Sequence, residues 1–284
     1  MIIYFLTVLL TIILLGLIGF DLVIVSLSYS IFWYETANKR PELVEKRFSR
    51  KNLRLITTLI FSEFFYDLLT LTSIPFGIFN KKTPVLKRGA PPVLLLHGLF
   101  VNKASWFWFK YRLQRQGINN VVTMNLSSWH NEEVLTELVA KKVDELRHQV
   151  GVNKINIVGH SMGGMIARNY IQLRGGSDKV ERLVCLGSPH HGSKLAAFTL
   201  DPLGKLLIPN SVFLQRLNQA PIPESVATTN IYTSKDNMVL PNESCQLPWG
   251  QNIALDRMGH TALIYRKPAL AATITALQQT TQVG

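Results

Sequence analysis

The sequence predicts an α/β domain in which helices flank a mostly parallel sheet, preceded by a long apolar helix at the N-terminus. Residues 1–20 contain no charged side chain, and the apolar stretch continues to residue 33 with only Asp21 interrupting it. From residue 90 onward, short runs of branched apolar residues alternate with segments of helical spacing. The chain has 284 residues, 47% of them hydrophobic, which is enough to bury one sizeable core.

The first 34 residues are long enough to cross a bilayer, because about 20 helical residues span a hydrocarbon core of roughly 30 Å. The segment lacks the basic start and the small-residue cleavage site that are typical of signal peptides. We therefore expect a retained transmembrane anchor over residues 1–34 and a membrane localisation, at the inner membrane if the source is bacterial. Tyr29, Trp33 and Tyr34 are expected to form an aromatic belt at the membrane surface.

Residues 35–89 are predicted to form a basic juxtamembrane segment. Within residues 55–79, Glu63, Asp67 and Thr70 recur at helical spacing and leave an apolar stripe on another face. This pattern predicts an amphipathic helix that ends near Pro75 and lies on the membrane or packs on the domain. A second span is the alternative. Since basic loops stay in the cytoplasm, one span leaves the rest of the chain there and two spans carry it outside, so the side of the membrane is left open.

The charge of the chain favours a membrane surface over nucleic acid. The formal net charge is +12, and much of it flanks the apolar segments. These early basic residues are Lys39, Arg40, Lys46, Arg47, Arg50, Lys51, Arg54, Lys81, Lys82, Lys87 and Arg88. Such an arrangement suits anionic lipid headgroups. No known nucleic-acid-binding motif accompanies the basic residues, so we expect no nucleic-acid partner.

The domain itself is predicted over residues 90–284. Strands are predicted at residues 91–98, 120–126, 154–159, 181–187, 230–234 and 252–255, with helices at 103–116, 132–150 and 163–174. Apolar residues in the segment 195–219 have no strand of their own to cover. They predict a small helical cap, at about residues 195–228, over an apolar acyl-chain pocket. Ordinary helix packing is the alternative.

A serine stands at the junction of a predicted strand and a predicted helix. Gly159-His160-Ser161-Met162-Gly163 matches the pattern G-x-S-x-G, the nucleophile elbow of α/β-hydrolases. The turn is tight, so side chains two residues before and after the serine would collide, and glycine removes them. The Ser161 hydroxyl is thereby expected to point toward substrate.

A serine nucleophile needs a base and an orienting acid, which follow it in the order acid, then histidine, in this fold. The histidines after the serine are His190, His191 and His260. His260 comes after the last predicted strand and is the expected base. Asp236 directly follows a predicted strand and is the expected acid, while Asp201 and Asp256 are weaker candidates.

Two backbone donors are needed for the oxyanion of the reaction intermediate. One is the N–H of Met162, the residue after the nucleophile. His97 and Gly98 end the first predicted strand, so the N–H of Leu99 is expected to be the second donor, with Phe100 as a near alternative. His97 precedes the serine and is expected to brace this loop rather than to act as the base.

These motifs resemble those of bacterial triacylglycerol lipases and related esterases of the α/β-hydrolase superfamily. They are HG at 97–98, GHSMGG at 159–164, SPHHGS at 188–193, SKDNMVLP at 234–241 and GH at 259–260, in that order. The resemblance covers roughly residues 90–280 and implies ester hydrolysis through an acyl-enzyme, with Ser161, Asp236 and His260 as the triad. It also implies that the His190–His191 segment shapes the pocket wall, although both could equally be surface-loop residues.

The expected function is therefore that of a membrane-anchored serine hydrolase acting on a lipid or another apolar acyl ester. No cofactor is expected. Some related lipases bind calcium through acidic residues near the histidine, but residues 261–263 are Thr-Ala-Leu here, so no metal is expected either. Two alternatives remain: an acyltransferase that uses the same triad, and a hydrolase-like membrane scaffold without catalysis.

Overall fold

The computed structural model describes residues 1–39, 48–79 and 85–279, so basic residues such as Arg40, Lys46 and Lys81 lie outside the described residues. Six parallel strands form one sheet in the order β2-β1-β3-β4-β5-β6. They are β1 (Val93–Leu96), β2 (Val121–Met124), β3 (Ile155–His160), β4 (Val180–Leu186), β5 (Ala227–Thr233) and β6 (Gln251–Leu255). Each overlaps its predicted segment, so the predicted parallel sheet is confirmed.

Helices cover both faces of this sheet. They are α3 (Phe107–Arg115), α4 (Glu132–Val150), α5 (Met162–Leu173), α6 (Pro202–Lys205), α7 (Val212–Gln219) and α8 (Lys267–Gln278). Leu94 and Leu96 of β1 belong to the core cluster that contains residues of α4 and α5, whereas Val93 and Leu95 belong to the cluster that contains residues of α3 and α8. This alternation arises because successive strand side chains point to opposite faces.

Two long helices precede the sheet: α1 (Ile2–Lys39) and α2 (Arg50–Phe79). Both are long and apolar enough to cross a membrane, and α1 is near the N-terminus. Large apolar side chains are exposed along residues 4–24 of α1, whereas Val25, Tyr29 and Phe32 are buried in a cluster with Leu59 of α2. The prediction of Tyr29 in an interfacial aromatic belt is therefore wrong, because this side chain packs between α2 and the domain.

The helix α2 has its polar side turned inward. Glu63 and Thr70 are buried against the domain, while Phe61, Phe65 and Phe76 are 62%, 59% and 74% exposed. The inward face of α2 thus carries polar side chains together with Leu59, whereas a water-soluble amphipathic helix leaves its polar side exposed.

The helix α2 also continues through Pro75 to Phe79, so the predicted end near Pro75 is wrong. A proline removes one backbone donor, but the domain stabilises the turn that follows it. Asn102 Nδ2 donates to the Ile74 carbonyl at 2.8 Å. Gly77 packs so closely on the Asn102 side chain that a Cβ there would lie 2.1 Å from Oδ1.

The segment between β4 and β5 is helical, as predicted. Leu203, Phe213 and Leu217 join the core cluster that contains α5, so this part packs as ordinary helices. By contrast, Phe198 and Leu200 are 77% and 93% exposed. Val212 of α7 is also 83% exposed, so the exposed apolar residues of this segment are not confined to one stretch.

Candidate active site

Ser161 occupies the tight turn between β3 and α5, and its backbone angles are φ 54° and ψ −123°. A positive φ is strained for a residue with a side chain and tends to mark functional sites. The Ser161 N–H donates to the Leu186 carbonyl at 2.9 Å, which ties the turn to the end of β4. The half-buried serine is thereby held out of the helix that follows it.

The glycines of the elbow are required by close backbone contacts. A Cβ on Gly159 would lie 2.4 Å from the backbone nitrogen of Gly164, and a Cβ on Gly163 would lie 2.3 Å from the Leu96 carbonyl oxygen. Neither neighbour is a flexible side chain that could move away. The sequence argument for glycine at these two positions agrees with this geometry.

Asp236 and His260 are hydrogen-bonded to each other. His260 Nδ1 lies 2.9 Å from Asp236 Oδ2, and the aspartate side chain is fully buried. The other carboxylate oxygen, Oδ1, accepts the backbone N–H groups of Met238 and Val239, both at 2.8 Å. Because both oxygens have donors, the carboxylate is held in one orientation after β5.

The electrostatic surroundings of His260 suit a base. Burial by itself would lower its pKa, but the charge of Asp236, the hydrogen bond to Asp236 and the charge of Asp67 raise the pKa above its ordinary value. With Nδ1 donating to the carboxylate, Nε2 is the nitrogen that is left to accept a proton.

His260 also lies beside the serine elbow. Its ring centroid is 4.7 Å from that of His160, and His160 Nε2 is 3.2 Å from the His260 carbonyl oxygen. A Cβ on Gly187, which follows β4, would lie 3.1 Å from His260 Nδ1. Within the described part of the chain no hydrogen bond joins the Ser161 hydroxyl to His260. Such bonds are often long in ligand-free enzymes and tighten when substrate binds.

His97 links two loops in the structure. Its Nδ1–H donates to the Gly98 carbonyl and its Nε2 accepts the Leu126 N–H, both at 2.8 Å. Burial lowers its pKa to about 4. The neutral ring therefore links the loop after β1 to the loop after β2.

The two expected oxyanion donors flank Ser161. Met162 is the first residue of α5, and the N–H groups of a first helical turn have no partner within the helix. Gly98 packs against the serine, since a Cβ on it would lie 3.1 Å from the Ser161 Cβ, and Leu99 follows directly. Phe100, in the same loop as Leu99, has a φ of 61° and is 63% exposed. Like Ser161, it is a non-glycine residue with a positive φ.

The two adjacent histidines have different environments. His190 is fully buried and its Nε2 lies 3.0 Å from Asn230 Oδ1, whereas His191 is exposed. The surface-loop interpretation therefore holds for His191 alone. Burial, with the charge of Arg168, places the pKa of His190 well below its ordinary value.

Glu63 is a residue of this site that sequence reasoning missed. Its carboxylate accepts the backbone N–H of Thr261, and that of Ala262 at 3.3 Å, at the start of the short helical turn that follows His260. A Cβ on Gly259 would lie 2.3 Å from Glu63 Oε2. The available signal was an acid within an apolar helix, but the sequence did not indicate its partner.

Asn237 makes a second contact of this kind. Its Oδ1 accepts the His260 N–H at 3.2 Å, and its Nδ2 donates to Ser28 Oγ of α1 at 2.9 Å. Both N-terminal helices thus contact groups that adjoin His260.

No group of three or more His, Cys, Asp or Glu side chains in the described ranges is arranged to hold a metal ion.

Comparison with known proteins agrees with this fold. Residues 91–203 match the alpha/beta hydrolase fold family. A triacylglycerol lipase of Pseudomonas fragi is 30% identical over 175 residues, which are 56% of this chain and 58% of that enzyme. The chain thus covers less than two thirds of that relative's length.

Two solved structures share the fold. Aspergillus fumigatus lipase B matches with a TM-score of 0.61 at 19% identity, covering 70% of this chain and 56% of that one. The mature form of Bacillus licheniformis lipase BlEst2 matches with a TM-score of 0.56 at 18% identity, covering 68% of this chain and 94% of that one. The chain therefore has the α/β-hydrolase fold, and part of its sequence is similar to bacterial triacylglycerol lipases.

Proposed function

We propose that this protein is a membrane-anchored serine hydrolase that cleaves carboxylic esters of lipids through an acyl-enzyme. One observation carries the proposal: the strained Ser161 turn adjoins a buried histidine whose Nδ1 lies 2.9 Å from a buried aspartate. This set of nucleophile, base and orienting acid is what acyl transfer requires. The names of the relatives, which are triacylglycerol lipases, support the same chemistry.

In the proposed reaction, His260 Nε2 takes the proton of Ser161 as its oxygen attacks the ester carbonyl. The N–H groups of Leu99 and Met162 stabilise the oxyanion of the tetrahedral intermediate. His260 then returns the proton to the leaving alcohol, and water repeats the sequence to release the acid. Asp236 keeps the proton of the neutral imidazole on Nδ1 and stabilises the charged imidazole that forms.

The N-terminal helix supports the membrane part of the proposal. Residues 4–24, which carry the exposed apolar side chains, cover roughly 32 Å at about 1.5 Å per residue, close to the hydrocarbon thickness of a bilayer. The rest of α1 is bound to the domain. Ser28 accepts a hydrogen bond from Asn237, and Glu35 forms an ion pair with Lys194 at 2.5 Å. These contacts favour a retained anchor over a removed signal sequence.

The contacts of α2 favour a single span. Glu63 is bonded to the turn after His260, Thr70 Oγ1 lies 2.8 Å from the Tyr265 hydroxyl, and Gly77 packs on Asn102. Because α2 contacts the sheet domain from Glu63 to Gly77, we infer that it lies on the domain and does not cross the bilayer as a separate helix. By the bias of basic loops toward the cytoplasm, we place the catalytic domain on the cytoplasmic side.

Exposed apolar side chains support a lipid substrate. Phe100 follows β1, Trp129 follows β2, and Phe198 and Leu200 follow β4, with exposures of 63%, 96%, 77% and 93%. All lie in connections that leave the carboxyl ends of parallel strands, the edge that carries Ser161. Exposed apolar groups clustered around a site favour contact with a membrane or an apolar ligand.

Labelling with a fluorophosphonate probe tests the nucleophile. We expect the full chain to label and the Ser161→Ala variant not to label. A folded protein that never labels would support the scaffold alternative instead. Turnover of a total lipid extract, followed by mass spectrometry, identifies the substrate. Adding an acceptor alcohol separates hydrolysis from acyl transfer, because a transferase forms a new ester in place of the free acid.

A further inference from the structure

An apolar groove lies outside the proposed catalytic centre. It has a volume of about 820 Å³ and is formed between α2, α3 and the segment that follows His260. Phe65 and Leu69 line it from α2, Phe107 and Trp108 from α3, and Tyr265 from the third wall. This volume lies within the range of small-molecule sites. None of the three proposed triad side chains lines the groove.

The polar rim of this groove is cationic. Arg112, Arg266 and Lys267 line it, and none of its lining residues is acidic. None of these three cations forms a salt bridge with any residue that the structure describes. The Arg112 guanidinium lies 5.4 Å from the centre of the Trp108 ring, so one cation adjoins the aromatic wall. An apolar floor with uncompensated cations at its edge is complementary to an anionic amphiphile.

The surroundings of the groove favour a membrane lipid as that amphiphile. The outward face of α2 presents Phe61, Phe65, Phe76 and Phe79, which are 59% to 80% exposed, and this face leads directly into the groove. Exposed phenylalanines of this density are unfavourable in water but not against acyl chains. A lipid chain from the same bilayer could therefore enter the groove while its headgroup remains at the surface.

We propose that this groove binds an anionic phospholipid of the membrane, with an acyl chain against Phe107 and Trp108 and the phosphate at Arg112 and Lys267. The proposal rests on the membrane anchoring proposed above, but not on catalysis. It implies that the protein recognises headgroup charge at a site separate from the one where esters are cleaved.

Quenching of Trp108 by brominated acyl chains tests this directly, because bromine quenches tryptophan only at short range. The full chain with Ser161→Ala is placed in phosphatidylcholine vesicles that contain phosphatidylglycerol, so that lipid is not consumed. Bromine is carried by one lipid or the other at equal mole fraction. Subtracting the signal of the matching Trp108→Phe protein isolates Trp108 from the other tryptophans.

We expect brominated phosphatidylglycerol to quench Trp108 severalfold more than brominated phosphatidylcholine, because each cation near an anionic headgroup favours it by about fivefold. Arg112→Gln with Lys267→Gln should remove this preference. Arg115→Gln with Lys141→Gln removes the same charge away from the groove and should keep it. Equal quenching by the two lipids, or a preference that survives the groove variant, would overturn the proposal. Probe labelling of the parent protein reports separately on the proposed function.

Discussion

Replacing Asp236 with asparagine removes one charge and leaves the side-chain volume almost unchanged. In the structure, Asp236 Oδ1 accepts two backbone N–H groups at 2.8 Å, while Oδ2 lies 2.9 Å from His260 Nδ1. An asparagine keeps its oxygen at the two N–H donors, because an NH₂ group there would face donors. Its NH₂ group must then point at His260.

This orientation reverses the histidine tautomer. His260 Nδ1 has to accept a hydrogen bond from the amide, so the ring proton moves to Nε2, the nitrogen that faces Ser161 in the proposed reaction. A protonated Nε2 has no lone pair for the serine proton. The same exchange in a serine protease lowers kcat by about 10⁴-fold, which corresponds to roughly 5.5 kcal/mol of activation free energy. We expect a loss of that order for Asp236→Asn.

The assay is hydrolysis of a p-nitrophenyl ester, with the rate of fluorophosphonate labelling as an independent measure of nucleophile activation. Asp256→Asn is the matched control, because Asp256 is a weaker candidate acid. Its Oδ1 accepts a hydrogen bond from the Ser234 hydroxyl at 2.7 Å, at an exposed position. It should retain nearly full activity. An Asp236→Asn protein within tenfold of the parent, with its fold intact by circular dichroism, would refute the assignment of the orienting acid.

Three further outcomes follow from the same geometry. Glu63→Gln should lower kcat about tenfold with little change in KM, which steady-state kinetics measures. The glutamine NH₂ group would replace one of the two oxygens that face the Thr261 and Ala262 N–H groups, and a buried donor left unpaired in this turn costs about 1–3 kcal/mol. The pKa of His260 is raised above its ordinary value, and the base must be neutral to act. We therefore expect kcat/KM to fall as the pH drops through this raised pKa. In Asp236→Asn the pKa of His260 should be lower, so the residual activity should fall only at a lower pH. Leu17→Lys should weaken membrane retention, because a lysine at the centre of a span costs about 2.5–3.5 kcal/mol; carbonate extraction and sedimentation measure the membrane-bound fraction.

Each of these outcomes has a contrary result. Unchanged kcat in Glu63→Gln would mean that the turn does not need both side-chain oxygens of Glu63 as acceptors. If kcat/KM of Asp236→Asn falls at the same pH as that of the parent, a group other than His260 determines this pH dependence. Full retention of Leu17→Lys in the membrane fraction would favour anchoring through α2 instead.

Much of the candidate site could be predicted because it depends on local sequence and chain order. The elbow needs glycine on both sides of Ser161 wherever a strand turns directly into a helix, and the contacts of Gly159 and Gly163 have this cause. Asp236 and His260 could be chosen because connections that leave the carboxyl ends of parallel strands meet at one edge. The helix boundaries were harder, since the stability of α2 beyond Pro75 depends on Asn102, a distant residue.

The sequence by itself determined the alternation of strands and helices, the serine turn and the apolar length of α1, because these arise from neighbouring residues and from side-chain periodicity. Only the tertiary structure decided what α2 does. Its helical spacing shows that Glu63 and Thr70 lie on a different face from the phenylalanines. It does not show which face meets the domain, because the usual rule of apolar residues inside holds in water and fails against lipid. The inward polar face, with Glu63 on the turn after His260, therefore became visible only when distant segments were packed together.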